Sequence, residues 1–518
     1  MRKVIFTALL LITISSSAIC QINDWGKVWI NGAGTTFQTT FQPSPINIIL
    51  DSTKYLYCSI GHSNICDSSG QLILCSDGYN VYDKNLNFLD GGDTLCPVEI
   101  YNWQDGFSTE SQASMFLPMG NNKYYFLNTV TSDSMMFAYY DDPTPVSPYA
   151  YDLLLYNLID MNANDGAGKV VKRMKTAINN AEPGLSMTQM MACRHGNGRD
   201  WWVLKQAQDT NVVFKLLFTP DSVYGPYIQG FAEPHFSFYS FGGQSMFSQD
   251  GTKYATTARG AFKVFVADFD RCTGELSNPQ VYDKPPAAFT APDSTTEYDP
   301  FTEGLAFSPN GRFIYVNGYY SISQLDLEDA NPATQWSVVA GLDTTWAAFQ
   351  SYSCMYLGPD NKLYVGNFAG LSGQMSRFDS PDQKGLASGF CPRCLHFPPV
   401  YYPAYGTYFY TGVSSPPTMP NYKLGAGGPC ATGIEEVKEE TRFVVYPNPT
   451  NGHITIEYSK GGTFILSDAV GRVISSISLQ EGRSRFSIEL SELTPDIYVY
   501  HYIVKGHQPI TGKLIIQK

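Results

Sequence analysis

A short recurring hairpin is the feature that most constrains how this 518-residue chain can fold. Each copy places a polar turn between an apolar strand and a strand rich in aromatic and β-branched residues. Asp-Gly and Asn-Gly are favoured in such turns because they accept positive φ angles. Six copies occur, at residues 67–74, 119–126, 195–203, 248–254, 308–316 and 358–365. Their turns, counted at residues 70, 122, 198, 251, 311 and 361, are 52, 76, 53, 60 and 50 residues apart. Each step is long enough for one four-stranded antiparallel sheet.

A second pattern supplies the outer part of each repeat. A strand that ends in Asp is followed by a turn and a short strand, as at residues 262–276, and related strands occur at 153–159 and 322–327. Six hairpins, with irregular sequence at both ends for one more repeat, predict an all-β fold, a β-propeller of about seven blades over residues 21–424. The irregular spacing leaves a pair of β-sandwiches as the alternative.

The N-terminus has the pattern of a secretory signal peptide over residues 1–20. Arg2 and Lys3 precede an apolar run from Val4 to Ile14, and small residues follow it. The run is too short to span a bilayer, and no later stretch reaches 18 apolar residues, so no transmembrane segment is predicted. A lipoprotein signal is disfavoured because Ile19 precedes Cys20, where a small residue is needed.

Charge and cysteine content limit the partners and the compartment. The formal net charge is −13, and removing the two cationic residues of the signal gives −13 − 2 = −15. That charge disfavours nucleic acid and anionic lipid as partners. Ten cysteines follow residue 20, an even number compatible with disulfides in an oxidising compartment, but the sequence leaves their pairing open.

The pattern changes near the C-terminus. Residues 425–442 are rich first in Gly and then in Glu and Lys, without apolar periodicity, and are predicted to be a linker. From Phe443 onward short alternating strands recur to the chain end, which predicts a small Ig-like β-sandwich over residues 443–518.

Three ordered motifs in this terminal segment resemble the type A sorting domain of the type IX secretion system. They are residues 446–452 (Tyr-Pro-Asn-Pro-Thr-Asn-Gly), residues 468–473, and residues 493–498 with the closing strand 513–518. One departure is Asp496, where the family usually has Gly. The residues that match the family motifs are Tyr446, Pro447, Asn448, Pro449, Gly452, Gly471, Tyr498, Lys513 and Lys518.

This resemblance implies a route and a partner. The chain would enter the periplasm by its signal peptide and be carried by the type IX machinery to the medium or the outer cell surface, after which the sorting domain is commonly removed. An adhesive surface sandwich is the alternative, but it does not account for motifs at the chain end. The preceding region resembles WD-like or lactonase-like propellers of secreted bacterial proteins, on residues 67–85, 195–202, 305–311 and 357–364. That likeness implies architecture and leaves activity open.

Motifs for common enzymes are lacking in the sequence. Neither Gly-x-Ser-x-Gly nor His-Glu-x-x-His occurs. Residues 160–166 resemble the start of a calcium loop, but the Gly is one place late and Val171 stands at the twelfth position, so a polar hairpin tip is favoured. Cys391 and Cys394 have redox-motif spacing, and we expect a disulfide between them or separate bridges.

The remaining candidates do not form a catalytic set. His195 is expected to be structural, while His62, His235 and His396 could line a central pocket without any spacing that links them. Stacking on sugars or peptides could involve Trp103, Trp201, Trp202, Trp336 and Trp346, but packing between blades is favoured. No catalytic residue, metal site or cofactor is therefore predicted.

The sequence thus favours a non-catalytic binding module that meets a surface polymer or another surface protein through one face of the propeller. One alternative is a spacer for surface display, and the other is a metal-assisted hydrolase or lactonase-like enzyme with its site in the channel. Such an enzyme needs convergent carboxylates or histidines, whereas Asp268, Asp270 and Asp326 recur at strand ends as turn caps.

Overall fold

The computed structural model divides the chain into two compact units, Met1–Cys430 and Ala431–Lys518. The residues that it describes are 25–41, 45–58, 60–140, 151–179, 184–208, 210–231, 242–257, 262–286, 288–290, 296–299, 302–341, 351–367, 373–402, 406–409, 412–413, 415–428, 430, 443–468, 472–480, 485–504 and 509–517. The predicted signal peptide and most of the predicted linker lie outside these residues.

The first unit contains, among the described residues, seven antiparallel sheets of three or four strands, which we call blades one to seven. Blade one has strands β1 (Val28–Ala33), β2 (Thr36–Thr40), β3 (Asn47–Asp51) and β4 (Tyr57–Cys58). Blade two has β5 (Ser63–Cys66), β6 (Leu72–Ser76) and β7 (Val81–Tyr82). Blade three has β8 (Ser114–Gly120), β9 (Lys123–Val130), β10 (Leu153–Asp160) and β11 (Lys169–Ile178). Blade four has β12 (Leu185–Arg194), β13 (Trp201–Ala207), β14 (Val212–Phe218) and β15 (Val223–Gly230).

The other three blades have the meander order of blades three and four, whereas in blade one β4 lies beside β1. Blade five has β16 (Ser245–Phe247), β17 (Lys253–Thr257), β18 (Lys263–Phe269) and β19 (Leu276–Asp283). After the hairpin of β20 (Ala288–Thr290) and β21 (Thr296–Tyr298), blade six has β22 (Leu305–Phe307), β23 (Phe313–Asn317), β24 (Ile322–Asp326) and β25 (Trp336–Ala340). Blade seven has β26 (Tyr352–Leu357), β27 (Leu363–Asn367), β28 (Gln374–Phe378) and β29 (Phe390–His396), and a hairpin of β30 (Val400–Tyr402) and β31 (Thr407–Phe409) follows. Two short helices, α1 (Val98–Trp103) and α2 (Asp133–Tyr140), lie in connections.

The predicted propeller is confirmed, and the six sequence hairpins are the turns between the first and second strands of blades two to seven. All six turn positions used to count the repeat have positive φ, from 56° at Asn122 to 86° at Gly70. The left-handed conformation that Gly and Asn tolerate is therefore required at each of these turns. Blade one comes from the irregular N-terminal sequence.

The aspartates at the strand ends form hydrogen bonds and ion pairs within their own blades. Asp270 accepts hydrogen bonds from the backbone N–H groups of Cys272 (2.7 Å) and Thr273 (3.3 Å) in the following turn. Asp326 accepts two bonds from the Arg312 guanidinium, each 2.9 Å long. Asp268 pairs with Lys253 at 2.7 Å on the neighbouring strand. These contacts hold turns and strands within single blades.

The apolar core lies between adjacent blades. Large aromatic side chains such as Tyr125, Trp201 and Tyr315 are fully buried there. Blade one meets blade seven through aromatic contacts, with ring centroids 5.2 Å apart for Trp29 and Tyr364 and 5.4 Å apart for Phe37 and Phe397. Among the described residues neither of these two blades takes a strand from the other. The ring is therefore closed by packing.

The second unit is a β-sandwich, as predicted. One sheet has the order β32 (Phe443–Tyr446), β33 (His453–Tyr458) and β36 (Arg485–Glu489). The other has the order β35 (Val473–Leu479), β34 (Gly462–Ser467), β37 (Asp496–Ile503) and β38 (Ile510–Ile516). Side chains such as Ile456, Phe464, Tyr502 and Leu514 alternate inward and form its buried core.

Candidate functional site

The channel of the propeller is a candidate site, because the innermost strands of all blades face it. An innermost strand has one edge without a neighbouring strand, and its N–H and C=O groups need other partners when they are buried. The identity of those partners determines how much of the channel is open.

Three buried carboxamides fill this role. The Gln112 side chain exchanges two hydrogen bonds with the backbone N–H and C=O of Ser245 in blade five, each 2.8 Å long. The Gln244 side chain does the same with Met355 in blade seven, at 2.8 and 2.9 Å, and also accepts from the N–H of Leu305 at 2.9 Å. A carboxamide carries a donor and an acceptor, as a peptide group does, so each side chain acts as one residue of an extra strand.

Blade one is paired in the same way. The Asn64 side chain in β5 accepts from the N–H of Ile30 at 3.2 Å and donates to the C=O of Val28 at 2.7 Å. All three carboxamide residues are 0% exposed. They join inner strands across and around the axis, and they occupy space in the channel.

A segment near the end of the first unit also lies in the channel. We call residues 412–422 the axial segment, of which 412–413 and 415–422 are described. Near the start of β5, its Ser415 C=O accepts from the Asn31 side chain at 3.1 Å and its Thr418 N–H donates to the His62 C=O at 2.9 Å. Further along, the Tyr422 hydroxyl donates to the Phe116 C=O at 2.8 Å.

The segment ends at the face that carries the six hairpin turns, called here the hairpin face. Asn421 donates to the C=O of Gln249 at 2.9 Å, in the turn of blade five. Residues 425–428 then lie on this face, where the N–H of Gly427 donates to the C=O of Gly196 at 2.9 Å. The first residues of the predicted linker therefore contact the propeller.

A disulfide fixes the end of this path. Cys430 is bonded to Cys272, 158 residues earlier in the chain and just after the third strand of blade five. Cys391 and Cys394 are bonded to each other within blade seven. The sequence did not determine the first pairing, and left two alternatives for the second.

A pocket opens beside the axial segment on the hairpin face, with a volume of about 80 Å³. Its apolar lining comes from blades four, five and seven and includes Met191, Met246 and Tyr356, with Met419 from the axial segment. Polar lining residues include Gln249, Asn361, Asn421 and Lys423. The pocket therefore combines apolar side chains with side-chain amides and one lysine.

Of the histidines proposed to line a central pocket, the two that the structure describes, His62 and His396, lie apart. His62 is buried in the channel wall, 3.3 Å from the Asn31 side chain. His396 is exposed at the end of β29, and His235 lies outside the described residues. His195 bonds to the C=O of Cys272 at 2.9 Å and to the N–H of Asn197 at 3.0 Å, within the hairpin face.

Other sequence candidates have structural surroundings. Asp160 accepts from the N–H of Asn162 at 2.9 Å in a turn between β10 and β11. Trp201 and Trp202 are buried between blades, while Trp103 is 43% exposed. Throughout the described part of the chain, no group of three or more His, Cys, Asp or Glu side chains could hold a metal ion.

Residues of the opening motif form hydrogen bonds to the final strand of the second unit. The Asn448 side chain accepts from the N–H of Ile515 at 2.9 Å and donates to the C=O of Lys513 at 2.6 Å. Thr450 continues this contact, since its N–H donates to the Ile515 C=O and its C=O accepts from the N–H of Gln517. The opening motif therefore holds the final strand β38.

Other motif residues have separate places. The Tyr446 hydroxyl donates to Glu457 at 2.7 Å, and the buried Tyr498 hydroxyl donates to the C=O of Thr494 at 3.0 Å. Gly452 has a φ of 119°, and a Cβ there would lie 2.8 Å from the Cα of Ser491. Pro447 and Pro449 flank Asn448, and the Lys513 side chain is exposed. Gly471 and Lys518 lie outside the described residues.

The three channel carboxamides were not predicted, although their positions in the repeats form a weak pattern. Gln112 stands two residues before the first strand of blade three, Gln244 stands one before that of blade five, and Asn64 is the second residue of β5. Aligning the repeats on their hairpins could have revealed a carboxamide near the start of these strands. Nothing local in the sequence indicates which distant backbone each one meets.

Residues 444–517 match the family of secretion system C-terminal sorting domains. The resemblance to the type IX sorting domain is thereby confirmed, and it indicates export to the cell surface or the medium. No curated protein sequence matches the chain. No helix in the described ranges is long and apolar enough to cross a membrane.

Several solved propellers are similar to the chain. A putative 6-phosphogluconolactonase from Bacteroides fragilis has 11% identity and a TM-score of 0.40, over 71% of this chain and 93% of that one. Apo AztD from Citrobacter koseri has 10% identity and a TM-score of 0.35, over 74% and 96%. The β-propeller domain of Cps50 from Myceliophteria thermophila has 9% identity and a TM-score of 0.36, over 66% and 90%. Likenesses at this level carry no argument about substrate or partner.

The carboxamide pairing predicts a large effect of Gln112→Leu. The change leaves the N–H and C=O of Ser245 buried without these partners, so the free energy of unfolding should fall by about 1–3 kcal/mol for each unsatisfied group. Denaturant unfolding followed by tryptophan fluorescence would measure it. Gln280→Leu, on the exposed side of β19, is the matched control and should change stability by less than about 0.5 kcal/mol. Equal losses in both variants would contradict the assignment.

His62 predicts a pH dependence of stability. Burial lowers the pKa of its imidazole from 6.5 to about 3. Below pH 6.5 the unfolded chain therefore binds a proton that the folded chain does not, and stability should fall by about 1.4 kcal/mol per pH unit toward pH 3. In His62→Gln this contribution to the slope is absent. Identical pH profiles of unfolding for the two proteins would contradict this prediction.

Proposed function

We propose that this chain is a secreted or surface-located β-propeller that binds its partner without catalysis, after export through the type IX system. The observation that carries the proposal is the occupation of the channel by the chain itself. Carboxamides pair the inner strands, and the axial segment runs from the level of His62 to the hairpin face.

A channel enzyme would need the space that these groups take. In the alternative function, carboxylates or histidines converge on a divalent ion with an open position for substrate. Here the carboxamides near the axis, Gln112 and Gln244, are already paired with backbone groups of the inner strands. Neutral groups whose hydrogen bonds are satisfied stabilise a fold but do not activate water, so the geometry favours binding over hydrolysis.

The hairpin face is the binding surface in this proposal. Its pocket joins an apolar floor to side-chain amides, which can bond to neutral hydroxyl or amide groups. The net negative charge of the chain also disfavours an anionic ligand. A neutral surface polymer or a protein segment with an apolar side chain fits these properties.

Filling the pocket should abolish partner capture while leaving the fold intact. Gln249→Trp places a large side chain at the lining, and Gln71→Trp, at the exposed hairpin turn of blade two, is the matched control. Binding of each purified full chain to a panel of neutral cell-surface polysaccharides and surface-protein fragments would be measured by biolayer interferometry. We expect the wild type and Gln71→Trp to bind a common member and Gln249→Trp to lose it. Equal binding by all three would place the partner elsewhere.

The same preparations test the enzymatic alternative. Lactone and aryl ester substrates would be supplied with Mg²⁺, Ca²⁺ or Mn²⁺, and product release should not exceed the protein-free background. Turnover by the wild-type chain that a chelator removes would overturn the non-catalytic proposal.

Export is tested by comparing the full chain with a version that ends at Gly433. The full chain should appear outside the cell with its N-terminus near Gln21, and the truncated version should stay in the periplasm. Mass spectrometry of cell fractions and medium distinguishes the two. Equal export of both versions would show that the C-terminal sandwich does not direct export.

A further inference from the structure

The described part of the propeller carries six cysteines that are not in disulfides, all of them buried. Exported chains meet an oxidising compartment, in which thiols that touch each other are readily joined. A further disulfide is therefore expected only between cysteines whose side chains lie close to each other.

Cys58 and Cys75 are such a pair. Cys58 lies in β4 of blade one and Cys75 in β6 of blade two, and both belong to the apolar cluster between these blades. They are 1% and 0% exposed, and the two thiols lie close enough to interact with each other. The Cys58 sulfur also lies 4.0 Å from the C=O of Ser76, the neighbour of Cys75.

The backbone around Cys58 is held by only a short ladder. Strand β4 is two residues long and pairs with β1 at only two positions, Gly32 with Cys58 and Ala33 with Tyr57. Cys75 lies in a central strand that is paired on both sides. Cys58 can therefore shift toward Cys75 without breaking an extended ladder.

We propose that Cys58 and Cys75 form a third disulfide in the exported protein, which joins blade one to blade two. Cys66 of the same cluster remains a thiol in this proposal, with its sulfur 3.7 Å from the C=O of Val28. Cys193 and Cys354 lie at other blade interfaces and also remain reduced.

The reaction is a two-electron exchange with a disulfide-bearing oxidant of the periplasm. One thiol loses its proton, and the thiolate attacks the oxidant to give a mixed disulfide with release of one oxidant thiolate. The second cysteine, as a thiolate, displaces the other sulfur, so the pair is oxidised and the oxidant becomes a dithiol. The hydrogen bond to Cys75 and burial raise the pKa of the Cys58 thiol well above its usual value. The exchange therefore takes place before blades one and two pack.

The test is a disulfide map of the full chain recovered after export. Thiols would be blocked with an alkylating reagent in denaturant without reductant before digestion. Trypsin leaves residues 55–84, with all three cysteines, in one peptide. Cleavage before Asp residues instead separates residues 51–66, with Cys58 and Cys66, from residues 67–76, with Cys75. We expect these two peptides to be joined, with Cys66 alkylated.

Two variants assign the bond. In Cys66→Ser the two peptides should remain joined, and in Cys58→Ser they should separate with Cys75 alkylated. The wild-type map does not depend on either variant folding. Alkylation of both Cys58 and Cys75 in the wild type, or loss of the link in Cys66→Ser, would overturn the proposal.

Discussion

Pairing of the inner-strand edges is the constraint on which the propeller depends. A propeller brings unpaired strand edges together at its axis, where they are buried and where each unsatisfied group costs about 1–3 kcal/mol. In this chain Gln112, Gln244 and Asn64 supply peptide-like partners, and the axial segment supplies others. The same contacts join the inner strands of different blades and occupy space near the axis.

The fold could be predicted largely because its signals are local. A tight hairpin needs positive φ at a defined position, and Gly or Asn stands at all six positions that show it, from Gly70 to Asn361. The alternating strands after Phe443 likewise predicted a sandwich, because alternation reports one buried face. Blade one was harder to recognise, since β1 to β4 lack a copy of the repeated turn and were predicted only as irregular sequence that could form a blade.

The candidate site could not be predicted to the same extent, because its contacts join residues far apart in sequence. Gln112 meets Ser245, and Tyr422 meets Phe116, 306 residues away. No periodicity in the sequence encodes such partners, and the sequence does not show whether a glutamine is buried or exposed. The pairing of Cys272 with Cys430 is hidden for the same reason, whereas the short spacing of Cys391 and Cys394 made their bond one of two expected outcomes.

The Cys272–Cys430 bond also has a mechanical consequence. It closes the chain between these residues into a covalent ring, so a force applied to the polypeptide after Cys430 passes into blade five at Cys272. The axial segment lies inside that ring and is shielded from the load. Traction on the C-terminal unit, as during passage through a membrane pore or tethering at a cell surface, therefore cannot draw Tyr422 out of the propeller while the bond is intact. The protein can be pulled by its end without being unthreaded.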